Sequence, residues 1–158
     1  MKKKKTAGSM VRGTLSPGLL GLKGFMIFKL GQFIQEKTEN YFNEHKIKPR
    51  HYLVLALLRE KGALSQQQLC EGLWIDRATM VGVIQKLTRL GFVRKRSHPG
   101  DKRAHLVSLT PKGTEFHAAH EAAFRQLDTE AFFPSLSKED HAKLLAILQK
   151  SVKSLERG

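Results

Sequence analysis

Five cations, Arg94, Lys95, Arg96, Lys102 and Arg103, crowd ten consecutive positions around the turn-forming run His98-Pro99-Gly100-Asp101. Arginines on such a hairpin suit a polyanion, above all the enhanced negative potential of a narrow minor groove. Asp101 lies two positions from Arg103 and can aim it; an exposed ion pair of this kind positions more than it stabilises. Just upstream, the segment from Asp76 to Leu90 places Met80, Ile84 and Leu87 on one helical face. The opposite face then presents Arg77, Ala78, Val81, Gly82, Gln85 and Arg89, with Thr79 and Lys86 beside them. Small side chains at its centre let the backbone approach base edges. Arg77 or Gln85 can donate to those edges, and Ala78 and Val81 offer methyl contact to thymine. Ser65, Gln66 and Gln67 open the preceding short helix and are candidate phosphate contacts, because a helix N-terminus presents unpaired N–H groups and the positive end of its dipole. Each feature has a plainer reading: an ordinary surface helix, or a charged edge hairpin protected from aggregation. Side by side they point to double-stranded DNA.

Other residue types could carry different chemistry. Cys70 is the one cysteine, which excludes a disulfide within the chain and suits a reducing compartment. It sits beside Leu69, where a small buried side chain is expected, and a buried thiol without a cationic neighbour is inert. His117 and Glu121 are four apart, with His120 beside them and His45 and His51 near a helix junction. This pattern could hold a metal ion, although exposed helix histidines are commoner. Phe25, Phe28, His51 and Tyr52 could line an effector pocket, although such aromatics more often form core. There is no phosphate loop, HExxH or Gly-x-Ser-x-Gly, so neither an enzyme nor a cofactor is expected.

Charge supports the first reading. The chain carries 28 Lys+Arg against 14 Asp+Glu, a formal +14. Residues 1–50 hold 11 basic and 3 acidic residues, 51–110 hold 10 and 4, and 111–158 hold 7 and 7. A cationic front and middle with a neutral tail implies a polyanionic partner; a basic tag plus a solvated face is the alternative. Gly8-Ser9-Met10 could be a cloning scar before a native start at Met10, in which case Lys2 to Lys5 carries no biology. The apolar stretch from Leu15 to Ile34 is interrupted by Lys23 and Lys29 and closed by Gln35 to Glu39. No export signal and no membrane span is expected, and the expected location is the cytoplasm.

These residues need elements to hold them. Residues 1–14 show no periodicity and read as a disordered basic tail. Ser16-Pro17 starts a helix to about Lys46, apolar on more than one side, which implies a second subunit. Pro49 and His51 open a helix to Lys61 with Tyr52, Leu55 and Leu58 inward. Ser65 caps a short helix through Gly72 with Leu69 and Leu73 inward, and Asp76 caps the next. Phe92–Arg96 and His105–Leu109 read as a hairpin. Thr110 caps a helix to about Phe133, Pro134 breaks it, and Ser137 caps a last helix with Leu144, Ile147, Leu148 and Leu155 inward. The expected fold is mostly α with a small β-hairpin wing, a winged helix-turn-helix over 49–110. Dimerisation helices are expected at 15–48 and 111–158.

The run Asp76-Arg77-Ala78-Thr79-Met80-Val81-Gly82 onward to Arg96, then Gly100-Asp101-Lys102-Arg103, then Val107-Ser108-Leu109-Thr110-Pro111-Lys112-Gly113, resembles the MarR family of bacterial transcriptional regulators. The resemblance runs from about Pro17 to Leu155. It implies a triangular homodimer that represses transcription from a palindromic operator, with the reader helix in the major groove and the wing in the minor groove. It also implies release by a small, often aromatic or phenolic, effector. Many relatives carry a hydroxyl residue and an arginine where this chain has Val81 and Gly82, so readout leans on Arg77, Gln85 and the wing. Redox-sensing relatives keep a cysteine in the first helix, which here has none. A metal- or redox-responsive regulator of the same fold, and a non-specific nucleic-acid-binding winged-helix protein, are the rival readings.

Overall fold

The computed structural model describes residues 13–98 and 101–155, and for residues 98 and 101–104 the backbone alone. Ser16-Pro17 opens α1 (Pro17–Leu20), a single turn, and α2 (Lys23–Asn43) restarts after Leu22. The one continuous helix expected here is therefore broken. Gly18, Gly21 and Gly24 lower helix propensity at the break. Lys46 turns left-handed at φ 56° and separates α2 from α3 (Pro49–Lys61). Proline fits the first position of α3 because no N–H is required there. Gly62, at φ 81°, ends it.

α4 (Gln66–Leu73) and α5 (Arg77–Arg89) form the helix-turn-helix, followed by β2 (Val93–His98) and β3 (Asp101–Leu109). A third strand, β1 (Leu64–Ser65), adds to the expected hairpin by pairing antiparallel with β3, Leu64 opposite Val107. The sheet order is β1-β3-β2. Two residues carry no readable periodicity, which is why β1 is invisible in the sequence. α6 (Pro111–Gln126) ends in a π-helical turn at Leu127–Ala131, and α7 (Lys138–Leu155) closes the described chain.

The junction after the wing is built from the Leu-Thr-x-x-Gly run. Thr110 Oγ1 donates to the Gly91 carbonyl at 2.6 Å and accepts from Gly113 N at 3.1 Å. Thr110 N donates to the Phe92 carbonyl at 3.0 Å. A Cβ on Gly113 would run into that carbonyl oxygen, so only glycine lets α6 start so close to β2. Lys112 Nζ reaches back to the Leu90 carbonyl at 2.9 Å, where the C-terminal end of a helix favours a cation.

The core lies inside the middle of the chain. Tyr52, Leu55 and Leu58 of α3, Leu69 of α4, Met80, Ile84 and Leu87 of α5, and Val93 and Val107 of the sheet are buried together, with Phe42 from the end of α2. The outer helices differ. α7 has no buried residue, and Ile147, Leu148 and Leu155 are 63%, 39% and 69% exposed rather than inward, with Leu144 half-buried. On the N-terminal arm formed by α1 and α2, Leu22, Ile27 and Phe28 are likewise exposed. The expected inward stripe of α7 exists as a pattern, but the described residues leave it largely uncovered.

Candidate nucleic-acid interface

α5 is held by a cap at its front and a stripe at its back. Asp76 Oδ1 accepts from Thr79 N at 2.9 Å. Hydrogen bonds from Thr79, side chain first and then backbone, hold the Asp76 carboxyl below the usual carboxylate range. Met80, Val83, Ile84 and Leu87 are buried, which turns Arg77, Ala78, Val81, Gly82, Gln85 and Arg89 outward and leaves Thr79 and Lys86 half-buried at the margin. A Cβ at Gly82 would meet nothing within 4 Å, so the helix backbone is bare at the centre of this face. The turn into α5 passes through Trp74 at φ 51° and ψ 44°, a conformation that costs a bulky residue about 1–2 kcal/mol.

α4 starts with a reciprocal cap. Ser65 Oγ accepts from Gln68 N at 3.2 Å, and Gln68 Oε1 accepts from Ser65 N at 2.8 Å. Ser65, Gln66 and Gln67 line a cleft of about 540 Å³ with Cys70, Arg77, Lys95, His105 and Val107. The cleft joins the front of α4 to the front of α5 and to the sheet, so its mouth combines two helix N-termini with two cations. Gln67 also donates to Glu71 at 2.8 Å. Cys70 is half-buried rather than buried, and it shares this cleft with Arg77 and Lys95.

The ladder sorts the cations of the wing. Val93 pairs with Leu109, Lys95 with Val107 and Arg96 with Leu106. Alternation puts Lys95 on the same sheet face as buried Val93 and Val107, and Arg94 and Arg96 on the other. Lys95 therefore enters the cleft beside α5, and it also lines a second cleft with Gln85, Thr88 and Arg89. His105 is a lining residue that the sequence reading does not single out; for Lys95, one of the five hairpin cations, period-two counting from Val93 is the signal that places it on the cleft side. Arg94 donates from Nε to Ser108 Oγ at 3.5 Å, and the exposed Arg96 follows it. The backbone of β3 runs through Asp101, Lys102 and Arg103, but their side chains, like Pro99 and Gly100, lie outside the described residues.

The expected effector residues fall into two groups. Phe25 and Phe28 flank Lys29 on the arm, the Lys29 Nζ lying 5.7 Å from each ring centroid. His51 and Tyr52 are buried in the first turn of α3. Tyr52 stacks on His117 at 5.2 Å and 7° and borders a cleft of about 520 Å³ with Leu53, Glu121, Phe124, Arg125 and Asp128. Its lining includes neither phenylalanine of the arm.

His117 is buried rather than exposed, and burial pushes its imidazole down. His120 Nδ1 lies 2.8 Å from the Tyr41 hydroxyl, and its ring centroid is 4.2 Å from that of His45. Burial first, then the His45 charge, lowers the His120 pKa. Among the described residues no group of three His, Cys, Asp or Glu side chains is placed to hold a metal ion, and no helix is long and apolar enough to cross a membrane.

Comparison with known proteins gives a consistent result. A sequence profile of the MarR family matches residues 45–104. The HTH-type transcriptional repressor NicR of Pseudomonas putida is 30% identical over 107 residues, 68% of this chain and 67% of NicR. The structure of Bordetella bronchiseptica BpsR, described in terms of regulation of its DNA binding by 6-hydroxynicotinic acid, superposes with a TM-score of 0.77 at 24% identity over 89% of this chain and 98% of BpsR. A cysteine-to-serine mutant of Escherichia coli MarR complexed with operator DNA superposes with a TM-score of 0.74 at 23% identity, over 81% and 91% of the two chains.

Proposed function

The chain belongs to the MarR family and is a DNA-binding transcriptional regulator; from that premise we propose that it is a cytoplasmic repressor. It occupies a palindromic operator as a homodimer and leaves it when a small aromatic or phenolic effector binds. The observation that carries this reading is the face of α5. Arg77, Ala78, Val81, Gly82 and Gln85 are exposed together while the opposite stripe is fully buried, and Lys95 stands beside them. Residues 49–110 form the DNA-binding module in this reading. Residues 15–48 and 111–158 join the two subunits.

The uncovered apolar faces of α2 and α7 support the homodimer, since a helix apolar on a side that its own chain leaves open needs a partner there. A twofold axis then sets two α5 helices about 34 Å apart, one turn of B-DNA. Arg77 and Gln85 read bases, Arg89, Lys86 and the α4 front of Ser65, Gln66 and Gln67 hold phosphates, and Arg96, Lys102 and Arg103 serve the minor groove with Asp101 aiming Arg103. The regulation of BpsR by 6-hydroxynicotinic acid supports an effector of the aromatic class. Phe25 and Phe28 on the arm and His51 and Tyr52 on α3 stand on two elements whose relative angle sets the reader spacing. A ligand that prefers one spacing shifts the population toward it.

Titration of the protein onto a palindromic duplex from its own promoter, against a random duplex at matched salt, tests the reading. Operator binding is expected to be about a thousandfold tighter than random, and to fall linearly with log salt. Arg77→Ala and Arg103→Ala are each expected to weaken operator binding by about tenfold or more while the dimer stays intact. Equal binding to both duplexes would favour a non-specific binder, and an unchanged Arg103→Ala would count against the wing assignment.

A further inference from the structure

The turn between α4 and α5 carries a side chain that its own chain leaves uncovered. Trp74 takes a left-handed conformation that glycine and asparagine adopt easily, and it is 57% exposed, whereas Leu69 and Met80 on either side are fully buried. It borders a cleft of about 410 Å³ with Lys48 and Arg50 at the front of α3 and with Asp76 and Thr79 at the front of the reader helix. The two carboxylates there are already engaged: Asp76 accepts from Thr79 N at 2.9 Å, and Glu39 accepts from the Gln35 amide at 3.1 Å. The surface therefore sets an exposed indole in one cleft with Lys48 and Arg50, the Asp76 and Glu39 carboxylates being held by hydrogen bonds within the chain, beside the entry point of α5.

An apolar plate with cations on the same cleft matches a deoxyribose with its adjoining phosphates. We propose that Trp74 is a DNA contact, its indole packing on a backbone sugar at the edge of the groove that α5 enters while Lys48 and Arg50 take the adjoining phosphates. The inference rests on the reading of α5 as the DNA reader. Because the contact is apolar, it adds affinity that salt does not remove, unlike the contacts of Lys48 and Arg50.

Trp74 is the single tryptophan of the chain, so its emission reports this turn directly. Saturating operator duplex is expected to cut acrylamide quenching of that emission by about threefold, as packing on a sugar removes the ring from solvent. Trp74→Gly and Trp74→Asn are expected to bind the operator about fivefold more weakly, with the slope of log affinity against log salt unchanged, while Trp74→Phe keeps most of the affinity. Lys48→Gln is expected to reduce that slope by about one. Neither Gly nor Asn should lower the melting temperature, since both relieve the left-handed strain. Quenching that the duplex leaves unchanged would overturn the inference, as would wild-type affinity in Trp74→Gly beside a weakened Arg77→Ala, a result that leaves the reader intact. Low quenching in the free protein that rises on dilution would give the indole to a second copy instead. A lowered melting temperature in both variants would place the effect in the fold and overturn the inference. Failure of the wild type to bind the duplex at all would sink both readings.

Discussion

Gly82 and Gly113 are both helical glycines, and space decides their roles. Nothing lies within 4 Å of a Cβ at Gly82, so Gly82→Ala is expected to stabilise α5 by about 1 kcal/mol, through helix propensity alone. The added methyl stands at the centre of the face assigned to base contact, and operator affinity is expected to fall about tenfold. Thermal melting and a binding titration on one preparation would show the two effects with opposite sign; a gain in both would remove Gly82 from the interface. At Gly113 a Cβ meets the Phe92 carbonyl, backbone that cannot swing aside. Gly113→Ala is expected to cost about 2–4 kcal/mol, seen as a lower urea midpoint, because it separates α6 from β2. The Leu-Thr-x-x-Gly run was legible as a motif; that its threonine and glycine lock one helix to the turn before β2, nineteen residues earlier at Gly91, follows only from the hydrogen bonds, Thr110 to Gly91 among them.

At the scale of elements, α2, α3 and α6 meet through rings. Tyr41 and Phe42 of α2, Tyr52 of α3 and Phe116, His117, His120 and Phe124 of α6 form one cluster of stacked, tilted and edge-on rings, joined by His45 just beyond α2. Burial depresses the imidazoles of His51, His117 and His120. A base held below its unfolded value binds fewer protons in the fold than in the unfolded chain. The stability this adds is complete above the unfolded imidazole value of about 6.5 and drains as pH falls through the lower folded values. The melting temperature is therefore expected to drop between about pH 7.5 and 5.5, and His120→Gln, which cannot titrate, should flatten the drop. A profile equally steep in that variant would assign the dependence to His51 and His117. The sequence shows these histidines only as a spacing that a metal ion could use; their place inside an aromatic cluster depends on three helices coming together.

Considered whole, the described chain is a well-filled middle with two poorly covered ends. The buried side chains concentrate between Phe42 and Val107, while α7 buries none and the arm leaves Leu22, Ile27 and Phe28 open. If a second copy covers α7, Ile147→Glu places a charge in that interface. Sedimentation is expected to show a dimer weakened by about a hundredfold or more, while the circular dichroism of the module persists. Operator binding should weaken in step, since a single reader helix loses the second half-site. A variant that stays dimeric and binds normally would exclude the exposed face of α7 from subunit contact.

What the sequence determined by itself was local. Ser65, Asp76, Thr110 and Ser137 each accept from the backbone N–H three residues on, and the buried stripe of α5 falls where Met80, Ile84 and Leu87 mark it. Caps and helical stripes are set by neighbours within one turn, and those neighbours are written in order along the chain. Tertiary structure alone decided that Leu64 pairs with Val107, that the face carrying Lys95 meets the front of α4 and α5, that Cys70 shares a cleft with Arg77 and Lys95 and that Trp74 is left exposed. Each of these depends on a partner brought near by the fold, and sequence spacing carries no record of that distance.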